Sequence, residues 1–274
     1  MALTEARFGK MGFEEHAGER GPSGETLVLL HDWLQDRSQM ARLLPALHGR
    51  RVLNLDLPGC GESECPKGSY NVYYLTRSVV AAIDQLDGWP VRVLGVGLGG
   101  AVACQVAHEQ RERVKGLVLV APPGWTRPMS RREQLIASPL AGPLFALTGP
   151  QIAERYWRAR YYSESELDPS RLSVMRQGLT RRGAGLAAAR MYGPHRDPLL
   201  RILLSVLATP TTLLWGHEDR VRGLDEAERF AAQKPSCILE VVEGAGHALV
   251  ETHPERVAAA LLRAGDPAVG ATPS

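Results

Sequence analysis

Residues Val91–Gly100 read Val-Arg-Val-Leu-Gly-Val-Gly-Leu-Gly-Gly, and a helical pattern continues from there to Glu109. An apolar run of strand length is followed by glycines at 95, 97, 99 and 100 and then by apolar residues at helical spacing. That order fits a buried strand turning sharply into a helix. Such a turn lifts its central residue above the edge of a sheet, the place from which a Ser, Cys or Asp side chain attacks a substrate. Here the lifted residue is Gly97, which has no side chain. A non-glycine residue in so strained a turn costs about 1–3 kcal/mol, whereas glycine enters positive φ freely. Gly97 therefore relieves strain and deletes the attacking atom, while Gly95, Gly99 and Gly100 keep the turn tight.

Short apolar runs alternate with helical patterns on either side, which predicts a mostly parallel sheet with helices on both faces. Strands are expected at Thr26–Leu30, Val52–Leu57, Val91–Val96, Val114–Ala121, Thr211–Trp215 and Cys237–Val242. Helices are expected at Ser38–Leu47 (with Ser38 as N-cap), Val72–Leu86, Leu98–Glu109, Leu224–Gln233 and Pro254–Arg263. A weak antiparallel hairpin signal precedes Thr26. Between Pro122 and Ala208 the strand signals stop, and helical pieces broken by Pro139, Pro143, Pro150, Pro169, Pro194 and Pro198 take over. The expected organisation is an α/β core of 1–121 and 209–264, a helical lid or cap of 122–208, and a disordered tail of 265–274.

Bulk properties narrow the function. A net charge of +2 over 274 residues argues against a general polyanion binder. Residues 122–208 hold 13 Arg and no Lys against 6 acidic residues, a local excess that suits an anionic substrate or an acidic carrier protein. The bland reading of that excess is solvated Arg on amphipathic helices. No apolar run approaches the roughly 20 residues that span a bilayer, and Met1–Lys10 has no signal core. The four cysteines show neither CxxC nor zinc-ligand spacing, which fits reduced thiols in a cytoplasm. No nucleic acid or membrane partner is implied, and no pair of histidines has metal-site spacing. Gly95-x-Gly97-x-x-Gly100 also matches a dinucleotide fingerprint. It follows several βα units, however, and no acidic residue ends a strand about 20 residues on.

Further motifs stand at the ends of the expected strands. His31-Asp32-Trp33 follows the first. Asp56-Leu57-Pro58-Gly59-Cys60-Gly61-Glu62-Ser63 follows the second. Trp215-Gly216-His217-Glu218-Asp219 and Gly246-His247 close the series. With the glycine turn between them, the chain resembles the α/β-hydrolase superfamily, in particular its cap-bearing members, from about Leu27 to Leu262. The resemblance implies an α/β-hydrolase fold and a chain order of nucleophile, acid and histidine, here 97, 219 and 247. It makes His247 the general base and Asp219 its orienting acid, and it makes the backbone N–H groups of Leu98 and Trp33 the oxyanion donors. His31, Asp32, Trp125 and Trp157 are expected to line the substrate pocket. Asp32 stands where Gly is common after this His. The His-Asp-Trp variant resembles epoxide hydrolases and haloalkane dehalogenases, whose raised Asp this chain also lacks at the turn.

Other hydroxyls and thiols have plainer readings. Cys60 reads as a small loop residue, Cys104 as core and Ser63 as a loop-capping hydroxyl. Lid tyrosines 156, 161, 162 and 192 are expected mostly to pack, with donation to a substrate oxygen as the second role. Three functional readings stay open. One is an enzyme acting on a small ester, lactone or activated carbonyl compound without a covalent step, room beside His247 holding a water. Another is a serine hydrolase inactivated by a Ser→Gly change. The last is a non-catalytic, receptor-like binder on the same fold. No metal or organic cofactor is implied.

Overall fold

The computed structural model describes residues 2–6, 9–124, 149–151, 153–155, 157–158, 169–192 and 199–266. Among the described residues there are eight strands: β1 (Ala2–Ala6), β2 (Gly9–His16), β3 (Thr26–Leu30), β4 (Val52–Leu55), β5 (Val91–Val96), β6 (Val114–Val120), β7 (Thr211–Gly216) and β8 (Ile238–Val242). They form one sheet in the order β1-β2-β4-β3-β5-β6-β7-β8. β1 and β2 are an antiparallel hairpin set antiparallel on β4, and the other pairings are parallel. Parallel strands buried on both faces read as continuous apolar runs, which is why Thr26–Leu30 and Val91–Val96 stand out in the sequence. The mostly parallel sheet with helices on both faces, expected from the alternating runs, is the arrangement observed.

Alternate residues of each strand feed two cores. Val28, Leu30, Val93, Leu119 and Leu213 pack with helices α1 (Val72–Gln85) and α2 (Leu98–Glu109). Leu27, Leu29, Leu94, Val118 and Leu214 pack on the opposite face with Met40, Leu43, Val257 and Leu261. Between β6 and β7 the described residues form α3 (Pro169–Thr180), α4 (Ala184–Met191) and α5 (Leu199–Val206). The C-terminal part adds α6 (Leu224–Gln233), α7 (Leu249–Thr252) and α8 (Pro254–Arg263).

One expected helix is absent. Ser38–Leu47 forms two 3-10 turns, Arg37–Met40 and Leu44–Leu47. Pro45 has no N–H to donate back along a continuous helix, and Asp36, not Ser38, accepts the capping hydrogen bond, from Ser38 N at 2.9 Å. Of the tail expected to be disordered from 265, residues 265 and 266 lie within the described structure. Asp266 is tied to Arg92 at 2.6 Å, and 267–274 lie outside the described residues.

Register places the candidate site. Leu30 of β3 pairs with Gly95 of β5, so the residues two further on, Asp32 and Gly97, emerge side by side at the carboxyl edge of the sheet. β7 and β8 end at the same edge and lead toward Asp219 and His247. In open α/β sheets this edge is where ligands bind. A close backbone approach holds it together. A Cβ on Gly99 would lie 2.4 Å from the Leu30 carbonyl oxygen and 2.6 Å from that of His31. Gly99→Ala must therefore push α2 away from β3, and urea denaturation should show a loss of about 1–3 kcal/mol, the usual range for overpacking.

Candidate functional site

β5 enters α2 through Gly97 at φ 48° and ψ −116°, outside the helical and extended regions. Gly97 N donates to Val120 O at 3.0 Å, which keeps the turn registered on β6. The sharp strand-to-helix turn is thus formed without a side chain at its apex.

The space over that apex is filled from β3. A Cβ built on Gly97 would lie 1.9 Å from Oδ1 of Asp32, 2.1 Å from its Cγ and 2.5 Å from Oδ2. Oδ1 accepts from Trp33 N at 2.6 Å and from Leu98 N at 2.7 Å. The two N–H groups expected to form an oxyanion hole do converge on one oxygen, and that oxygen belongs to Asp32. This corrects two expectations. Asp32 does not merely line a pocket, and the room expected beside His247 holds a carboxylate. The loop carrying it is fixed by Asp32 N donating to Gln39 Oε1 at 3.0 Å and Gln35 N to Asp32 O at 3.2 Å. Leu98 opens α2, so the helix dipole also favours a negative charge here.

His247 and Asp219 meet as expected. Nδ1 of His247 lies 2.6 Å from Asp219 Oδ2, and both side chains are fully buried. Asp219 Oδ1 accepts from Val221 N and Arg222 N, each at 2.8 Å, an Asx-type turn that orients the carboxylate. The other imidazole nitrogen, Nε2, faces Asp32 Oδ2 at 3.5 Å. Burial alone would lower the His247 pKa, but Asp219 and Asp32 outweigh it and push it up to about 9. At neutral pH the site is an imidazolium between two carboxylates, so in this state His247 holds a proton and is not yet a base.

The remaining expected residues divide. His31 is fully buried: Nε2 accepts from Leu57 N at 2.9 Å and Nδ1 sits 2.7 Å from Asp32 O. Its ring ties the β3 loop to the β4 loop. Trp33 sends its indole N–H to Ala188 O at 2.9 Å, and its ring lies 5.2 Å from that of Tyr192. Trp157 is fully buried in the main hydrophobic core. Trp125 and tyrosines 156, 161 and 162 lie outside the described residues. Ser63 Oγ donates to Asp56 O at 2.7 Å and accepts from Gly12 N at 2.9 Å, the structural role expected of it. Burial and the charges of Asp56 and Asp36 push the Cys60 thiol well above its ordinary pKa, which leaves it a poor nucleophile. Among the described residues no group of His, Cys, Asp and Glu is arranged to hold a metal ion, and no helix is long and apolar enough to cross a membrane.

Comparison with known proteins agrees with the fold. The sequence model described as the alpha/beta hydrolase family matches residues 27–260. A pimeloyl-[acyl-carrier protein] methyl ester esterase of Aeromonas hydrophila subsp. hydrophila is 30% identical over 244 residues, 87% of this chain and 94% of the relative. A poly(3-hydroxyalkanoate) depolymerase of Ectopseudomonas oleovorans is 27% identical over 222 residues, 77% of this chain and 74% of the relative. The malate-bound structure of a thermophilic esterase from Thermogutta terrifontis superposes with a TM-score of 0.76 at 26% identity, covering 92% of this chain and 91% of that one.

The raised His247 pKa makes stability depend on pH. The folded protein holds this proton more tightly than the unfolded chain, so the stabilisation is complete below about 6.5 and is lost as pH rises through about 9. Denaturation midpoints should fall between those pH values, and the fall should shrink in Asp32→Asn, where one of the two carboxylates no longer holds the proton.

Proposed function

The chain belongs to the alpha/beta hydrolase family, and on that premise we propose that it hydrolyses a small molecule, with His247 moving the proton, Asp219 orienting the imidazole, and the Trp33 and Leu98 N–H groups holding an oxygen that becomes negative. The observation that carries this reading is convergence. His247 Nε2 and the two N–H groups address opposite ends of one carboxylate group above Gly97. A base and a pair of amide donors flanking one reacting point are the parts that hydrolysis of a carbonyl-type group requires.

Small esters and lactones are the first substrates to test, because two relatives are named as an esterase and a depolymerase. In this reading residues 122–208 are a cap over the carboxyl edge. A cavity between the β3 loop, the β4 loop and helices α3 and α4, lined by Leu34, Gln35, Cys60, Met175 and Met191, supports a largely apolar substrate body. The Arg excess of 122–208 supports an anionic or carrier-borne substrate as a variant of the same reading.

The geometry counts against a serine hydrolase inactivated at position 97. A serine there would place its Cβ on top of the Asp32 carboxylate. The expected results with short p-nitrophenyl esters are turnover by the present chain, a loss of roughly a hundred- to ten-thousandfold in His247→Ala, and no gain in Gly97→Ser. Turnover and fluorophosphonate labelling confined to Gly97→Ser would establish the inactivated-serine reading instead. Tight ligand binding without turnover by either protein would establish a receptor.

A further inference from the structure

We infer that Asp32 is the covalent nucleophile of this chain, delivered from the β3 loop to the place above Gly97, and that it attacks a saturated carbon bearing a leaving group or held in a strained ring. The inference rests on the hydrolase reading and its His247–Asp219 pair, and it names the attacking atom and the substrate class. Three observations carry it. Gly97 leaves the apex of the turn empty, and a side chain there could not coexist with the Asp32 carboxylate, given the 1.9 Å approach to Oδ1. The register of β3 on β5 brings Asp32 beside Gly97, so a carboxylate from one strand takes the place left by the other. Its two oxygens are also differentiated: Oδ1 is held by two N–H groups, while Oδ2 points to the imidazole.

The electrophile follows from that asymmetry. An acyl carbon attacked by Asp32 Oδ2 would need the two N–H donors for its own developing oxyanion at the moment they hold Oδ1. Attack at a saturated carbon puts the developing charge on the leaving group, away from the hole. Suitable substrates are an epoxide, an alkyl halide or a β-lactone opened at its alkyl carbon.

The steps balance. An electron pair of Oδ2 forms the new C–O bond, the bond from that carbon to the leaving group breaks, and its pair departs with the leaving group. Asp32 becomes a neutral ester whose carbonyl oxygen is Oδ1. Loss of the Asp32 charge removes one of the two carboxylates that keep His247 protonated. The proton passes to the oxygen of an opened epoxide ring, or to water when the leaving group is a stable anion. The neutral imidazole then takes a proton from water, whose oxygen adds to Cγ of Asp32. The negative charge forms on Oδ1 between the N–H groups of Trp33 and Leu98. Collapse breaks the bond from Cγ to the alkyl oxygen, and the product alcohol takes the proton from His247. The Asp32 carboxylic acid, now carrying one oxygen from water, returns its proton to His247.

The test uses the full chain and 1-bromohexane, whose leaving group departs as bromide and needs no proton from His247. In His247→Gln, which can form the ester but not hydrolyse it, peptide mass spectrometry should find one equivalent of the probe on Asp32. Asp32→Asn in the same background, checked for folding by circular dichroism, should take up none. In the unsubstituted protein, a single turnover in heavy-oxygen water should label the Asp32 carboxylate. Absence of an adduct from His247→Gln, an adduct on another residue, or label confined to the hexanol product would each overturn the assignment. Ester turnover that is lost in His247→Ala while Asp32 stays unmodified would leave the hydrolase reading standing and remove only the nucleophile.

Discussion

One buried carboxylate oxygen accepts two backbone N–H groups, from Trp33 and Leu98, directly above a residue that has no side chain. The rest of the candidate site follows from that contact. A buried negative charge is costly unless hydrogen bonded and paired, and Asp32 meets both conditions through the two amides, the N-terminus of α2 and the His247 ring 3.5 Å away. In return, Asp32 and Asp219 together keep the buried imidazole protonated. Position 97 then has little freedom: its backbone lies at positive φ, and its Cβ site is already occupied.

The surrounding motifs act as the frame for this contact. His31 bonds across to Leu57, and Ser63 bonds to both Asp56 and Gly12, so the loops after β3 and β4 and the strand β2 move together. Trp33 joins two functions. Its N–H sits in the hole while its indole holds Ala188 of α4, so a displacement of α4 would be felt at the Asp32 carboxylate. Preorganised donors are effective because they need no rearrangement as charge develops, and this frame supplies that rigidity.

Much of this was legible in the sequence because it is local. Continuous apolar runs marked the buried parallel strands, and the glycines at 95, 97, 99 and 100 marked the turn. The Asp219–His247 pair followed from two strand-end motifs, and the helix Pro254–Arg263 had the expected bounds. What escaped was non-local. Asp32 and Gly97 each departed from the family pattern, and each departure was read separately, one as a pocket residue and one as a missing nucleophile. Their complementarity appears only once the register of Leu30 on Gly95 is known. That pairing of an added acid with a lost side chain was the available signal. The break in Ser38–Leu47 was visible at Pro45, but the apolar spacing outweighed it in the sequence reading.

The central claim is electrostatic: His247 lies buried between Asp32 and Asp219 and stays protonated at neutral pH. Nitrogen NMR of a histidine-labelled sample, titrated from acid to alkaline pH, measures this directly when the His247 signal is assigned by its absence in His247→Gln. The account predicts that Nε2 and Nδ1 remain protonated through neutral pH and lose a proton near 9, and that the transition moves down in Asp32→Asn. Titration near the ordinary value of 6.5 in both proteins would contradict it.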